Sequence, residues 1–245
     1  MATSSRYFPT PLGETHARLG GDPAQPGLLL IPGSPSTWRD MAVLLRQPAL
    51  RSAFHLAAVD RPGYGQSTPG VPEPSLQRQA ERLLPVVAHL AQAGRTWVLG
   101  HSYGGPVALW LAVHYPDLVA GATLLNPVVD PGTTTFQWLR NTGQVLWPVL
   151  PGLLKVSTVE MNALPSGLAA MAREAHRLRV PVDFVQGMRD FVAPPLHADF
   201  AEQVYPAPYM AVERLPKGSH FTPFTQPTWV VERVLAAAKA SGTPV

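Results

Sequence analysis

Three short apolar runs, each ending in a glycine- or proline-rich turn, most constrain how this chain can fold. The runs are residues 27–31, 54–59 and 96–99. Continuous rather than alternating apolarity is typical of strands that are covered on both faces. Helix-length segments separate or follow the runs, at about 36–46, 74–93 and 103–115. This alternation predicts an α/β protein with a mostly parallel central sheet flanked by helices.

The same pattern returns towards the end of the chain, after a different kind of segment. Residues 121–126 are predicted to form another strand, and the later elements are a strand at 182–185, a helix at about 195–204, a strand at 209–215 and a helix at about 228–240. Between these stretches, at 131–179, tryptophan, leucine and valine residues are mixed with prolines and glycines. We interpret this segment as a small cap of short helices, inserted into a core formed by residues 1–130 and 180–245.

Composition excludes several classes of protein. Charged residues make up 14% of the chain, below the roughly 25% of average proteins, which argues against disorder. The 19 basic and 16 acidic side chains leave a charge of +3 without a basic cluster, so nucleic acid is not an expected partner. Without cysteine there is no thiolate nucleophile. No signal-like or membrane-spanning apolar stretch is evident, so we expect a cytoplasmic protein without a membrane span.

The sharpest motif is Gly100-His-Ser-Tyr-Gly-Gly105, which matches G-x-S-x-G between a buried-type strand and a helix-like segment. A turn this tight strains the backbone of its central residue and requires small neighbours. The hydroxyl of Ser102 is then exposed at the edge of the sheet, as a nucleophile must be. His101 is expected to be a packing residue, because a neighbour on a sharp turn points away from the serine.

A serine hydroxyl needs an adjacent base, usually a histidine that a carboxylate holds in the right tautomer. His220 lies in a short glycine-containing loop between the final strand and the final helix. Asp190 follows the end of the strand at 182–185, which places it at the same edge of a parallel sheet. Asp130, shortly after the strand at 121–126, is the alternative acid.

In order and spacing, these pieces resemble the α/β-hydrolase superfamily of serine-nucleophile enzymes. The resemblance is carried by the motif around Ser102, by Val59-Asp-Arg-Pro-Gly-Tyr-Gly-Gln-Ser67, by Gln186-Gly-Met-Arg-Asp190 and by Gly218-Ser-His220. It covers nearly the whole chain and is weakest at 131–179, which corresponds to the variable cap that the family inserts after its sixth strand. By the same resemblance, the turn from Asp60 to Ser67 is structural rather than catalytic.

The resemblance also implies an oxyanion hole formed by two backbone N–H groups, those of Tyr103 and Ser34. Relatives commonly have His-Gly where this chain has Pro32-Gly33, so a hydrogen bond that the histidine often makes to this loop is missing.

The predicted cap provides the remaining candidates. Trp138, Trp147 and Met161 either fill the core of the cap or line an acyl or ring pocket, since ligand pockets are mostly apolar. Between residues 131 and 170 only three residues are charged, namely Arg140, Lys155 and Glu160. This scarcity favours an uncharged, largely apolar substrate. No metal site and no cofactor are expected.

The sequence therefore predicts a serine hydrolase that cleaves an ester-like bond of a small molecule, as a carboxylesterase or lactonase. Serine at the turn excludes the aspartate route of the resembling haloalkane dehalogenases and epoxide hydrolases. A carbon–carbon bond hydrolase and a thioesterase are alternatives within the same class. A cofactor-free lyase or oxygenase, or a weakly catalytic ligand-binding protein, are alternatives of another class. The oligomeric state is left open.

Overall fold

The computed structural model describes residues 3–133 and 147–245, which form one eight-stranded sheet covered by helices. The strands are β1 (Ser4–Thr10), β2 (Gly13–Gly21), β3 (Gly27–Ile31), β4 (His55–Val59), β5 (Thr96–His101), β6 (Val119–Leu125), β7 (Val182–Gly187) and β8 (Met210–Leu215). Their order in the sheet is β1-β2-β4-β3-β5-β6-β7-β8. From β4 to β8 all neighbours are parallel, whereas β1 and β2 form an antiparallel pair that extends the sheet beyond β4.

Helices cover both faces of the sheet. They are α1 (Ala42–Leu45), α2 (Pro48–Ala53), α3 (Leu76–Leu90), α4 (Gly104–His114), α5 (Gly152–Arg173), α6 (Leu196–Val204), α7 (Thr222–Thr225) and α8 (Pro227–Ala240). Alternate side chains of one strand enter opposite layers: Leu29 packs with α3 and α4, and Leu28 packs with α1, α2 and α8. Burial on both faces is the reason why the central strands are apolar throughout.

The connections around β3 determine where a ligand can reach the sheet. The chain runs from β3 to β4 on one side and then returns past β3 to β5 on the other. At such a reversal the loops after two adjacent parallel strands diverge and leave a crevice at their carboxyl ends. Ile31, the last residue of β3, lies beside Gly100 of β5, so the loop after β3 and the G-x-S-x-G turn begin next to each other.

The predicted α/β architecture is confirmed, with differences at two places. The antiparallel strands β1 and β2 were not anticipated, because β1 is mostly exposed and carries no continuous apolar run. The predicted helix at 36–46 is formed only in part: turns precede α1, which has four residues, and α2 begins at Pro48. Proline at the first helical position fits this start.

The described part of the predicted cap differs from the expected short helices. Residues 152–173 form the single 22-residue helix α5, which contains Pro165 and is flanked by short 3-10 turns at Trp147–Val149 and Ala175–Arg177. Its buried positions repeat every three to four residues and so lie on one face: Val156, Glu160, Leu164, Leu168 and Met171. Whether 131–179 forms a separate cap stays a prediction. Among the described helices, none has the length and apolarity needed to cross a bilayer.

Candidate active site

Ser102 occupies the tight turn between β5 and α4. Its φ of +53° lies in the left-handed region, where a non-glycine residue is strained. The glycines on either side are required by close packing. A Cβ on Gly100 would approach the carbonyl oxygen of Gly104 to 2.4 Å, and a Cβ on Gly104 would approach that of Ile31 to 2.4 Å. The turn therefore holds the serine at the carboxyl edge of the sheet, as the motif predicts. Contrary to the prediction that it is exposed, Ser102 is only 6% exposed.

The loop after β3 packs directly against this serine. A Cβ added to Gly33 would lie 3.1 Å from the Cβ of Ser102 and 3.5 Å from its Oγ, so a larger residue there would crowd the serine. In the described part of the chain, the backbone N–H groups of Ser34 and Tyr103, the two proposed oxyanion donors, have no recorded acceptor. Two such donors on adjacent loops are compatible with a site for a developing negative charge.

Asp190 and His220 form a buried pair at the same edge of the sheet. Nδ1 of His220 lies 2.7 Å from Oδ2 of Asp190, and the other carboxylate oxygen accepts two backbone N–H bonds of 2.8 Å from Val192 and Ala193. The side chain of Asp190 is fully buried, and these three hydrogen bonds fix its position next to the histidine. A proton on Nδ1 leaves Nε2 of His220 free to act as a base, which is the tautomer that serine chemistry needs.

His101 connects the serine turn to the histidine loop. Its Nε2 donates to the backbone carbonyl oxygen of His220 over 2.9 Å, and the two imidazole rings are 4.8 Å apart. Phe224 packs edge-on against the ring of His101. Burial, with a further contribution from the nearby His220, lowers the pKa of His101 to about 3. His101 is therefore a neutral hydrogen-bond donor, and its bond to His220 links the serine turn to the loop of the candidate base.

Asn126, which sequence analysis placed only in a strand, links three of these loops. It follows β6, has a φ of +46° and is nearly fully buried. Its Nδ2 donates to the carbonyl oxygen of Ser219 over 2.9 Å, and its Oδ1 accepts the N–H of Gly187 over 2.7 Å. An asparagine directly after a strand is one signal that could have identified it, since asparagine tolerates the left-handed region.

The alternative acid lies elsewhere. The carboxylate of Asp130 accepts the N–H of Gly132 over 2.8 Å, and its own N–H donates to Nδ1 of His197 over 3.1 Å. The hydrogen bond to His220 comes from Asp190. Of the two acids that the sequence offered, the structure thus pairs Asp190 with the candidate base.

A buried polar network lies behind the loop after β3. Arg61 and Glu160, 99 residues apart, form an ion pair with an Nη1–Oε1 distance of 2.6 Å and no solvent exposure. Glu160 also accepts hydrogen bonds from Gln79, Tyr64 and Ser34, over 3.0, 2.7 and 2.9 Å. Burial disfavours the charged guanidinium, but Glu160 outweighs this effect and raises the pKa of Arg61 above its ordinary value.

The side chain of Tyr103 belongs to this network rather than to the open face of the site. Its ring is fully buried with the guanidinium of Arg61 4.5 Å from its centre, and its hydroxyl accepts a hydrogen bond of 3.1 Å from Gln79. Burial raises the pKa of Tyr103 well above its ordinary value, so the phenol remains protonated. Only the backbone of Tyr103 is then available as an oxyanion donor.

The three predicted pocket residues do not form one cluster in the described structure. Trp138 lies outside the described residues. Trp147 is 41% exposed with Lys155 over its ring, and Met161 packs against the core. In residues 3–133 and 147–245, no group of three or more histidine, aspartate or glutamate side chains is placed to hold a metal ion.

Two apolar residues that sequence analysis did not select flank the site. Phe191 follows Asp190 and is 76% exposed, and Phe221 follows His220 and is 51% exposed. The ring of Phe221 stands edge-on to that of His220, 5.7 Å away. Since ligand pockets are mostly apolar, the ring of Phe221 is a candidate contact for an apolar ligand beside the base.

Comparison with known proteins identifies the family of the chain. The family described as alpha/beta hydrolase fold matches residues 26–151, about half of the chain, and the chain belongs to that family. The chain is 26% identical over 137 residues to human epoxide hydrolase 4, a match that covers 54% of this chain and 36% of that protein. It is 28% identical over 193 residues to a pyrethroid hydrolase of Sphingobium wenxiniae, covering 64% of this chain and 68% of that protein.

The structural comparison extends over almost the whole chain. The naproxen esterase of Bacillus subtilis superposes with a TM-score of 0.74 at 21% identity, over 96% of this chain and 91% of that one. At that identity the likeness concerns the fold. The chain spans about a third or less of the length of most of these curated relatives, including 36% of human epoxide hydrolase 4, and 68% of the pyrethroid hydrolase.

Proposed function

We propose that this protein is a serine hydrolase that cleaves an ester-like bond of a small, uncharged, largely apolar substrate. The observation that carries the proposal is the fully buried Asp190 carboxylate, 2.7 Å from Nδ1 of His220, at the sheet edge that also holds Ser102 on a strained turn. The hydrogen bond from His101 to His220 links the turn that carries Ser102 to the loop that carries the base. A nucleophile, a base in the correct tautomer and a buried orienting acid are the groups that acyl transfer by serine requires.

Each step then has an assigned group. His220 Nε2 takes the hydroxyl proton of Ser102 while the Oγ forms a bond to the carbonyl carbon. The N–H groups of Ser34 and Tyr103 stabilise the resulting oxyanion, and the imidazolium is stabilised by Asp190. The intermediate collapses as the carbon–oxygen bond to the alcohol breaks, and His220 returns the proton to the leaving oxygen. Water, deprotonated by the same Nε2, hydrolyses the acyl-enzyme and restores Ser102.

The proposed substrate class follows from the side chains around this edge. Phe191 and Phe221 are exposed apolar groups next to the acid and the base. Glu160, the acidic residue of α5, is fully buried against Arg61 and therefore cannot meet a substrate. The relatives include an esterase of Mycobacterium tuberculosis, whose name also favours an ester.

Labelling with a fluorophosphonate tests the nucleophile. The wild type should bind one equivalent, Ser102→Ala should bind none, and Ser52→Ala should label like the wild type because Ser52 is exposed on the distant helix α2. Equal labelling of Ser102→Ala and the wild type would contradict the proposal.

Turnover of nitrophenyl esters tests the reaction class. We expect repeated turnover that increases with the length of a neutral acyl chain. A single slow turnover would instead indicate a ligand-binding protein, and labelling without ester hydrolysis would indicate a lyase.

A further inference from the structure

The loop that carries one proposed oxyanion donor is held from behind by Arg61. The carbonyl oxygen of Gly33 accepts two N–H bonds from this side chain, 2.8 Å from Nη2 and 3.3 Å from Nε. The carbonyl of Pro32 accepts a third, 3.0 Å from Nε. The sequence lacks the histidine that relatives commonly have in this loop, and in this chain Arg61 supplies hydrogen bonds to it.

These bonds determine which way the next N–H points. The Gly33–Ser34 peptide bond is trans, and in a trans peptide the C=O and N–H groups point in opposite directions. Because Arg61 binds the carbonyl of Gly33, the N–H of Ser34 points away from Arg61. A rotation of this peptide would turn the donor away from its present direction and would break both hydrogen bonds from Arg61 to the carbonyl oxygen of Gly33.

Arg61 is in turn held by a residue of helix α5. Glu160 binds Nη1 of Arg61 at 2.6 Å and Nη2 at 3.2 Å, a bidentate geometry that fixes the plane of the guanidinium. The same carboxylate accepts the hydroxyl of Ser34. Glu160 thus acts on the loop in two ways: directly, by accepting a hydrogen bond from the side chain of Ser34, and indirectly, by holding Arg61.

Extending the proposed function, we infer that Glu160 and Arg61 are positioning residues for ester hydrolysis, which hold the Gly33–Ser34 peptide with its N–H in the oxyanion hole. Both side chains are fully buried and therefore do not contact the substrate. Because Glu160 belongs to α5, the oxyanion hole is complete only when α5 is packed on the core.

Kinetics of three variants test this role: Glu160→Gln, Arg61→Gln and the double variant. Loss of one oxyanion donor lowers kcat by about 10² to 10³ in other enzymes, so we expect a decrease of about 10- to 1000-fold in each single variant. KM for nitrophenyl butyrate should change less than about threefold, because the ground state gains little from the donor. A trifluoromethyl ketone, which forms a tetrahedral oxyanion on serine, should bind more weakly by the same factor as kcat. The double variant should be no worse than the worse single variant, because the two residues act as a unit.

Leu164→Ala is the matched control for destabilisation of the helix. Leu164 lies four residues after Glu160 on the same face of α5 and is buried in the core, and its apolar side chain cannot hydrogen-bond to the network. This variant should lower the melting temperature while kcat of the folded protein stays within about twofold of the wild type. If Glu160→Gln does not fold, Tyr64→Phe removes one of the hydrogen bonds to Glu160 and should lower kcat by about 2- to 10-fold.

The outcomes separate this inference from the proposed function. If the Glu160 and Arg61 variants lose stability like Leu164→Ala but keep kcat and inhibitor affinity, the pair is only structural and the inference is wrong. If Ser102→Ala labels like the wild type, the hydrolase itself is refuted. Loss of labelling in Ser102→Ala together with unchanged kcat in Glu160→Gln overturns the positioning role alone.

Discussion

Replacement of His101 by glutamine should make the protein markedly less sensitive to acid. His101 is buried between His220 and Phe224, and its pKa in the folded protein is about 3, against 6.5 for an unperturbed histidine. As the pH falls below about 6.5, the unfolded chain therefore takes up a proton that the folded protein does not. The corresponding stability is present above pH 6.5 and is lost progressively as the pH falls from 6.5 to 3.

The magnitude follows from the difference between the two pKa values. One pKa unit corresponds to about 1.36 kcal/mol, so at pH 5 the loss from His101 is about 2 kcal/mol, and it approaches about 5 kcal/mol near pH 3. His197, whose pKa burial lowers to about 4, should contribute about another 2 kcal/mol at pH 5. Glutamine at position 101 does not titrate, and its amide is still able to donate to the carbonyl of His220.

Urea denaturation at pH 7.5 and pH 5 measures this difference. Between these two pH values, the free energy of unfolding of His101→Gln should fall by about 2 kcal/mol less than that of the wild type. Phe224→Leu is the control, because it disturbs the packing against His101 without removing the titrating group. Its free energy of unfolding should be reduced at both pH values, with the acid response of the wild type. Parallel pH dependences of wild type and His101→Gln would refute the reasoning.

Two further predictions concern the turns of the site. Asn126→Gly should lower the free energy of unfolding by about 2–4 kcal/mol, because it leaves the N–H of Gly187 and the carbonyl of Ser219 without their partner. Asn126→Ala should cost about 1 kcal/mol more, since alanine is strained at a φ of +46° and glycine is not; equal urea midpoints for the two variants would contradict this. Gly104→Ala should prevent normal folding, because its Cβ would lie 2.4 Å from a backbone oxygen, whereas Gly152→Ala, with no atom within 4 Å, should change the melting temperature little. Similar melting curves for these two alanine variants would refute the packing argument.

The parts of the fold that were predictable carry their signal in consecutive residues. Strand β3 has five buried apolar residues in a row, and the turn around Ser102 has glycines at three positions where a Cβ does not fit, namely 100, 104 and 105. Strand β1 lacks such a signal, because its residues are mostly exposed and it is held by pairing with β2. For α5, the prolines and glycines of the segment suggested breaks, but Pro165 lies within a continuous helix whose buried face packs on the core.

The candidate site divides in the same way. Ser102, Asp190 and His220 each follow a strand, so the order of strands was sufficient to place them at one edge. Arg61 and Glu160 are 99 residues apart and belong to different segments, and no local pattern indicates that they pair. Their contact depends on how α5 lies on the core, which is a property of tertiary packing rather than of any short motif.

The contact between Arg61 and Glu160 also bears on the small number of charged residues between 131 and 170, from which an apolar substrate was inferred. Arg140 lies outside the described residues, and Lys155 has its ammonium 5.8 Å from the ring of Trp147. Glu160 is neutralised by Arg61 and buried beneath the loop after β3. A buried carboxylate is tolerated only when it is paired and hydrogen-bonded, and Glu160 satisfies both conditions through partners in the core. The single acidic side chain of the segment therefore binds groups of the protein core and is not available to a substrate. Its presence in α5 is compatible with the proposed apolar environment for the substrate.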